Sequence, residues 1–224
     1  MFDAHRFALF LAAALLLAIT PGPGIFSVLA RTLAGGRREG FQSSIGTFFG
    51  GLFHVFAAAL GVSAILAASA VAFHTIKYAG AAYLVFLGIK MIRSRNTELP
   101  LETSGPAGGA FRQGIFTEAL NPKTALFFLS FIPQFIAPER GHIFLQFATL
   151  GIFSVSLNTA ADLLVVGLAS RALRATSLTR KLNFRFSFSR KQCAVSIPLA
   201  SAARTASGLG MISLGAYLAL SNAK

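Results

Sequence analysis

Helix breakers stand inside two long apolar segments of this sequence. The first string is Thr20, Pro21, Gly22, Pro23 and Gly24; the second is Asn121, Pro122 and Lys123. Proline removes a backbone donor and clashes with the preceding turn, and glycine favours non-helical conformations. In hydrocarbon the freed carbonyl groups have no water to bind, so such breaks persist only where they are buried in protein or line a wet cavity. Matched breaks in two halves of a chain indicate the substrate site of a membrane carrier.

The composition favours a membrane protein. Hydrophobic residues make up 54% of the 224 residues and charged residues 12%, against about 25% charged residues in soluble domains. The chain has 20 Lys and Arg but 7 Asp and Glu. Because the basic residues stand between apolar runs, they indicate loops that face cytoplasm and anionic membrane lipids, and they do not form a nucleic-acid-binding motif. The single cysteine, Cys193, excludes an internal disulfide.

Six apolar segments predict the architecture. Their approximate limits are 7–29, 45–68, 71–92, 111–137, 142–170 and 207–221. A membrane-spanning helix needs about 20 apolar residues; the first five segments satisfy this, and the sixth needs residues before Ser207. The first segment also resembles a secretory signal, but no small-residue cleavage site follows it. We therefore expect an all-α integral membrane protein with six transmembrane helices in a single domain over 1–224.

The distribution of lysine and arginine predicts the orientation. With six spans, one side of the membrane receives four basic residues: Arg6, Lys77, Arg140 and Lys224. The other side receives fifteen: Arg31, Arg37, Arg38, Lys90, Arg93, Arg95, Arg112 and eight more between 171 and 204. Basic loops stay in the cytoplasm. We expect both termini in the periplasm of an inner-membrane protein, and the basic segments 31–40, 93–112 and 171–206 in the cytoplasm.

The two halves of the chain share short matches. Residues 18–21 (Ala-Ile-Thr-Pro) match residues 119–122 (Ala-Leu-Asn-Pro), and Leu-Gly occurs at 87–88 and again at 214–215. Repeat one covers about 7–92 and repeat two about 111–221, with the extra residues of the second repeat in the atypical basic loop 171–206. Three spans per repeat make the second copy enter from the opposite side, which predicts an inverted repeat.

One family shows these motifs in the same order. The chain has Phe111 and Gly114, then the second break followed by Leu-Phe-Phe at 126–128, then Pro-Gln-Phe at 133–135. Together with the first break this pattern resembles the LysE/RhtB family of amino-acid exporters. The resemblance implies a small inner-membrane protein that expels amino acids or related metabolites by proton exchange. Gly24 is a departure, because the family usually has Asn or Asp there, and the connection before the last helix is longer than in the family.

The breaks also predict a binding chemistry without the family. A half-helix that begins after residues 21–23 directs unsatisfied N–H groups into the protein, which suits a substrate carboxylate. Half-helix carbonyl ends before Thr20 and Asn121 suit an ammonium group. The alternative is that the prolines only kink packed helices, since Pro and Gly are common in membrane spans.

Ionisable residues within the predicted spans are further candidates. Lys123 and Asp162 would each cost about 2.5–3.5 kcal/mol at the centre of a helix in the bilayer, so pairing or protonation is expected. Lys123 belongs to the substrate site or extends to the cytoplasmic surface. Asn158 and Asp162 are four residues apart and share a helix face, which suggests Asn158 as a substrate ligand and Asp162 as a proton carrier. His54 is either a second proton carrier or a packed, hydrogen-bonded residue.

Two more features have structural interpretations. Glu118 is interpreted as an interfacial partner of Arg112 and not as a site residue. Gly46, Gly50 and Gly51 form a small-residue stripe that predicts close helix contact within the chain, with a homodimer face as the alternative.

Other function classes lack their signatures. The histidines form no metal or catalytic spacing with acidic residues, so we expect no enzyme, metal or cofactor. No phosphate-binding loop and no channel filter motif occur in the sequence. The direction of transport is not encoded in the motifs, so an uptake carrier, or an exporter of another small solute, is the alternative to an amino-acid exporter.

Overall fold

The protein is helical throughout the part that its computed structural model describes, residues 4–19, 22–68, 70–93, 109–137, 140–182 and 197–220. The described helices are α1 (Ala4–Ile19), α2 (Pro23–Ala68), α3 (Ala70–Arg93), α4 (Ala110–Ala119), α5 (Pro122–Ser130), a 3₁₀ helix (Ile132–Phe135), α6 (Ile143–Leu182) and α7 (Ile197–Leu220). No strand occurs in these ranges. The prediction of an all-α fold is confirmed.

Both predicted breaks separate helices. The first lies between α1, which ends at Ile19, and α2, which begins at Pro23. Thr20 and Pro21 lie outside the described residues. The second break separates α4 from α5 at Leu120 and Asn121. Proline at the first positions of α2 and α5 suits a helix start, because its missing N–H would have no intrahelical partner there.

The chain turns sharply within α2 at Gly36, whose φ of 76° and ψ of −169° are not helical. This φ lies in a region that glycine adopts without steric cost. Nη1 of Arg31 pairs with Oε2 of Glu39 at 3.2 Å across the turn. In a straight helix these two residues, which are eight positions apart, would be separated by about 12 Å along the helix axis. The prediction of a loop over 31–40 is therefore wrong: two helical arms flank a single turn residue.

Glycines bring the helices into close contact. A Cβ on Gly46 would lie 3.0 Å from Cα of Gly114 in α4, and one on Gly51 would lie 3.0 Å from Val155 Cγ1 in α6. Reciprocal contacts join α3 to α7, where Gly88 and Gly208 each face the other's carbonyl. The small-residue stripe on α2 therefore packs against α4 and α6 of the same chain, as predicted.

Phenylalanines fill the space between α1 and the segment after the second break. Phe10 in α1 stacks on Phe131 at 6.5 Å between ring centroids and meets Phe135 edge-on at 5.5 Å. Phe127 stacks on Phe131 at 5.0 Å. All four rings are buried, so this aromatic cluster fixes α5 and the 3₁₀ helix against α1.

The last two helices are longer than predicted. α6 runs for 40 residues, from Ile143 to Leu182, which is about 60 Å at 1.5 Å per residue and about twice the thickness of a bilayer core. α7 begins at Ile197, so it includes residues before Ser207, as predicted. The interpretation of 171–206 as one loop is wrong, because 171–182 and 197–206 are helical. Ala, Leu and Arg, which favour helices, dominate 171–174; residues 183–196 lie outside the described ranges.

Large apolar side chains cover the outer surface. On α2, Phe49, Phe53, Phe56 and Leu60 are all exposed, and their spacing places them on one face. Two stretches, Pro23–Gly61 and Ile143–Arg174, are long and apolar enough to cross a membrane, and three shorter apolar helical stretches accompany them. The first stretch passes through the turn at Gly36, so its arm after the turn is the part that is straight enough to cross. An exposed apolar surface of this kind is typical of contact with a membrane or with another apolar partner.

Candidate functional site

A small cavity lies where the two breaks meet. Its volume is about 20 Å³, which is room for about one water molecule. The first break, the second break, α2 and α6 all contribute to its wall, which consists of Leu17, Gly22, Gly24, Ile25, Thr47, Gly51, Glu118, Asn121, Lys123, Thr124, Phe128, Ser154, Val155 and Asn158. Five of the predicted substrate-site residues thus share one cavity: Gly22, Gly24, Asn121, Lys123 and Asn158. Pro23 and Pro122 are exposed at their helix starts.

Asn121 maintains the second break through its side chain. Its Oδ1 accepts a hydrogen bond from the backbone N–H of Lys123 at 3.1 Å, which caps the N-terminus of α5. Its Nδ2 donates to Glu118 Oε2 at 3.1 Å. An N-cap of this kind is worth about 1 kcal/mol because it satisfies a backbone donor that has no helical partner. Asn121 therefore stabilises the break and also positions a carboxylate.

Glu118 belongs to the cavity, and its interpretation as an interfacial partner of Arg112 is wrong. Its side chain is 4% exposed, and Oε1 accepts a hydrogen bond from Thr124 Oγ1 at 2.6 Å. Arg112 is exposed, one and a half turns before it on α4. The sequence signal that could have revealed this role is local: an Asn and a Thr follow Glu118 by three and six residues across a break, which brings both donors back to its carboxylate.

Lys123 is buried beside the end of α1. Its side chain is 9% exposed, and Nζ donates to the carbonyl oxygen of Leu17 at 3.4 Å. Leu17 belongs to the last turn of α1, where carbonyl groups lack helical partners and carry the negative end of the helix dipole. The ammonium group therefore lies at the C-terminal pole of α1, and the alternative in which Lys123 extends to the cytoplasmic surface does not describe this structure.

The two glycines of the first break each face one charged group of the second break. A Cβ on Gly22 would lie 3.0 Å from Lys123 Nζ, and one on Gly24 would lie 2.6 Å from Glu118 Oε2. Gly24 is in the first turn of α2, where unsatisfied N–H groups favour negative charge. From the sequence, the N-terminus of α2 is expected to face the carboxylate of a substrate. In the structure it lies beside the carboxylate of Glu118.

Asp162 lies one helical turn beyond Asn158, next to the cavity and entirely buried. Its Oδ2 accepts a hydrogen bond from Thr47 Oγ1 at 2.8 Å, which ties α6 to α2. Its Oδ1 has no hydrogen-bond partner among the described residues. A buried carboxylate oxygen without a donor is costly, and it can accept a proton without losing an existing hydrogen bond.

His54 contacts the backbone of Glu118. Its Nε2 is 2.9 Å from the carbonyl oxygen of Glu118, and its ring stacks on Phe128 with 6.4 Å between centroids. The side chain is 8% exposed. This environment is that of a packed, hydrogen-bonded histidine that holds α4 against α2, and a proton-carrying role for His54 stays a prediction.

A helical bundle with an exposed apolar surface and with broken helices around a small cavity is typical of membrane transport proteins. The model of the LysE type translocator family matches residues 15–222. The chain therefore belongs to this family, it is a membrane translocator and not an enzyme, and the predicted family resemblance is confirmed.

Two kinds of relative illustrate the membership. An uncharacterized membrane protein of Vibrio cholerae is 32% identical over 189 residues, which cover 82% of this chain and 92% of the relative. A leucine efflux protein of Salmonella typhimurium is 33% identical over 146 residues, 62% of this chain and 69% of the relative. No solved structure matches the chain.

Proposed function

We propose that the protein exports amino acids across the inner membrane, with the cavity between the two breaks as the substrate site. The observation that carries this proposal is that a buried ammonium group and a buried carboxylate, Lys123 and Glu118, line one cavity. An amino acid has the same two charges at short distance. The leucine efflux function named for the Salmonella relatives supports an amino acid as the substrate.

Proton exchange is the proposed driving force, with Asp162 as the proton carrier. The support is its position: it is buried next to the cavity, one oxygen is held by Thr47, and the other is free to accept a proton. Ser27, Ser43 and Ser170 also have buried hydroxyls without a hydrogen-bond partner among the described residues. Ser27 and Ser43 lie on the arms around Gly36, and Ser170 lies on α6, about two turns beyond Asp162.

The proposed topology has six spans as two inverted repeats, with both termini in the periplasm. The orientation is supported by exposed basic residues that lie near each other on α2 and α6. Arg37 and Arg38 adjoin the turn at Gly36, and Arg171 is five residues beyond Val166, which contacts the same arm at Gly40. Basic residues at one end favour a cytoplasmic position for that end and contact with anionic lipid, worth about 1 kcal/mol per residue.

Transport by the purified protein tests the proposal. Proteoliposomes loaded with L-leucine are given an imposed pH gradient, and leucine efflux is measured with and without a protonophore. We expect efflux that depends on the protein and on the gradient, and little efflux with the Lys123→Ala variant. If leucine fails, a panel of neutral and charged amino acids follows. Absence of transport for the whole panel would contradict amino-acid export, and gradient-independent uphill efflux would contradict proton exchange.

A further inference from the structure

We infer that the carboxylate of Glu118 binds the ammonium group of the substrate, and that Gly24 leaves the space which the Glu118 carboxylate occupies. This inference rests on the proposed function, since it assigns one pole of the same cavity. Glu118 is fixed by two donors, Thr124 at Oε1 and Asn121 at Oε2. A carboxylate offers about four acceptor positions, so two positions stay available for the N–H groups of a ligand.

Gly24 determines whether the carboxylate can take this position. A Cβ at residue 24 would lie 2.6 Å from Glu118 Oε2, closer than such atoms approach each other, so any side chain there would push the carboxylate aside. Gly24 has no left-handed φ, so its need for glycine comes from this contact and not from backbone conformation. Gly24 and Glu118 therefore act as a pair. Residue 24 of the first break has no side chain that could bind the substrate, and the side chain of Glu118 takes that position instead.

The charges around the cavity define the class of substrate. One buried cation and one buried anion line the wall, and a ligand with both charges compensates each of them and leaves no net charge behind. A second negative charge, on the substrate side chain, would be buried without a partner, because the described wall contains a single cation, Lys123, and an unpaired charge is unfavourable in a low-dielectric site. The remaining large wall residues, Leu17, Ile25, Phe128 and Val155, are apolar. The structure assigns a zwitterionic amino acid with an uncharged, apolar side chain.

The present cavity admits about one water molecule, at about 20 Å³. An amino acid therefore enters only when the helix ends at the two breaks move apart. The ammonium group of Lys123 then exchanges the carbonyl oxygen of Leu17 for the substrate carboxylate, and Glu118 accepts the substrate ammonium. Lys123 thus replaces one charged hydrogen bond by another, and Glu118 adds the substrate ammonium to the donors that it already has, so the buried charges stay compensated.

A pair of ligands that differ by one group tests this assignment. L-leucine has both charges, whereas isocaproate has the same carbon skeleton and carboxylate without the ammonium group. Binding of each is measured with the purified full-length protein in nanodiscs. We expect Glu118→Gln to weaken leucine binding about 10- to 100-fold, as for loss of a charged hydrogen bond, and to leave isocaproate binding unchanged. Lys123→Ala should weaken both ligands, because it removes the partner of the shared carboxylate.

Two further variants keep the test informative if Glu118→Gln does not fold. Gly24→Ala retains the carboxylate but displaces it, and should also weaken leucine more than isocaproate. Gly61→Ala is the matched control, because a Cβ there meets no atom of the described residues within 4 Å. Unchanged leucine binding in Glu118→Gln, or equal weakening of both ligands, would overturn the assignment. Failure of the wild-type protein to bind any amino acid of a neutral panel would instead count against the proposed function.

Discussion

The contact between Gly50 and α4 allows a prediction whose size follows from the structure. A Cβ on Gly50 would lie 2.6 Å from the carbonyl oxygen of Ile115, 2.9 Å from Cβ of Glu118 and 3.0 Å from the backbone nitrogen of Ala119. Two of these three atoms are backbone, so a rotamer change cannot relieve the clash. Ordinary contact begins at 3.4 Å, and Gly50→Ala must therefore shift α4 away from α2 by most of an ångström.

The expected cost is that of overpacking, about 1–3 kcal/mol. Alanine also favours the helix over glycine by about 1 kcal/mol, a gain that obscures the cost when a single variant is compared with the wild type. Gly61→Ala on the same helix receives the same gain without a clash, because none of the atoms that the structure describes lies within 4 Å of a Cβ at that position. The difference in unfolding free energy between these two variants therefore isolates the overpacking at Gly50.

Unfolding of both variants in detergent, followed by leucine efflux from proteoliposomes, provides the measurement. We expect Gly50→Ala to be less stable than Gly61→Ala by about 1–3 kcal/mol and to export more slowly, because the shift of α4 moves Glu118 and breaks its contact with His54. Equal stability of the two variants together with wild-type export by Gly50→Ala would refute the reasoning that this crossing holds the site.

Three further predictions concern the break, the coupling and the topology. Asn121→Ala removes both the cap of α5 and a donor to Glu118, whereas Pro122→Ala leaves that cap in place. Asn121→Ala should therefore reduce leucine efflux more than Pro122→Ala, and equal rates would contradict a positioning role for Asn121. Asp162→Asn should abolish uphill efflux driven by a pH gradient and retain downhill counterflow; uphill efflux at the parental rate would exclude Asp162 as the proton carrier. After replacement of Cys193, a cysteine at position 38 should not react with a membrane-impermeant thiol reagent in intact cells but should react in inverted vesicles. Labelling in intact cells would contradict the cytoplasmic position of residue 38.

Local signals predicted the parts of the site that depend on backbone chemistry. Proline and glycine in an apolar run predicted both breaks, because these residues oppose helix formation whatever surrounds them. The four-residue spacing of Asn158 and Asp162 predicted a shared helix face for the same reason, since helix periodicity is local. These two residues lie where the pattern placed them, at the cavity and next to it.

Contacts between distant residues could not be predicted in this way. The loop expected over 31–40 is a pair of helical arms, and the arms are held by contacts across the bundle: Arg31 Nε donates to Gln113 Oε1 of α4 at 2.6 Å as well as pairing with Glu39. Glu118 was assigned to the interface because Arg112 is nearby in sequence. Its actual partners, Asn121 and Thr124, are three and six residues further along the chain. The signal is therefore local, but the sequence alone does not show that the chain folds back on Glu118 at the break.

Three glycines of α2 show where sequence reading reaches its limit. Gly36 permits a turn with positive φ, and Gly50 permits close approach of α4. A Cβ on Gly61, by contrast, would meet no neighbour within 4 Å in the described part of the chain. The small-residue spacing of the stripe identified Gly50, since a repeat at helical period implies a common face. The neighbouring residues favour a turn at Gly36, which follows Gly35 and precedes Arg37 and Arg38. They do not show that Gly50 is in close contact with another helix and that Gly61 is not, because that difference lies in the packing around each residue. Gly24 extends the same argument to function: a Cβ there would lie 2.6 Å from Oε2 of Glu118, 94 positions later in the chain. The proposed pair therefore becomes visible only when both breaks are seen around one cavity.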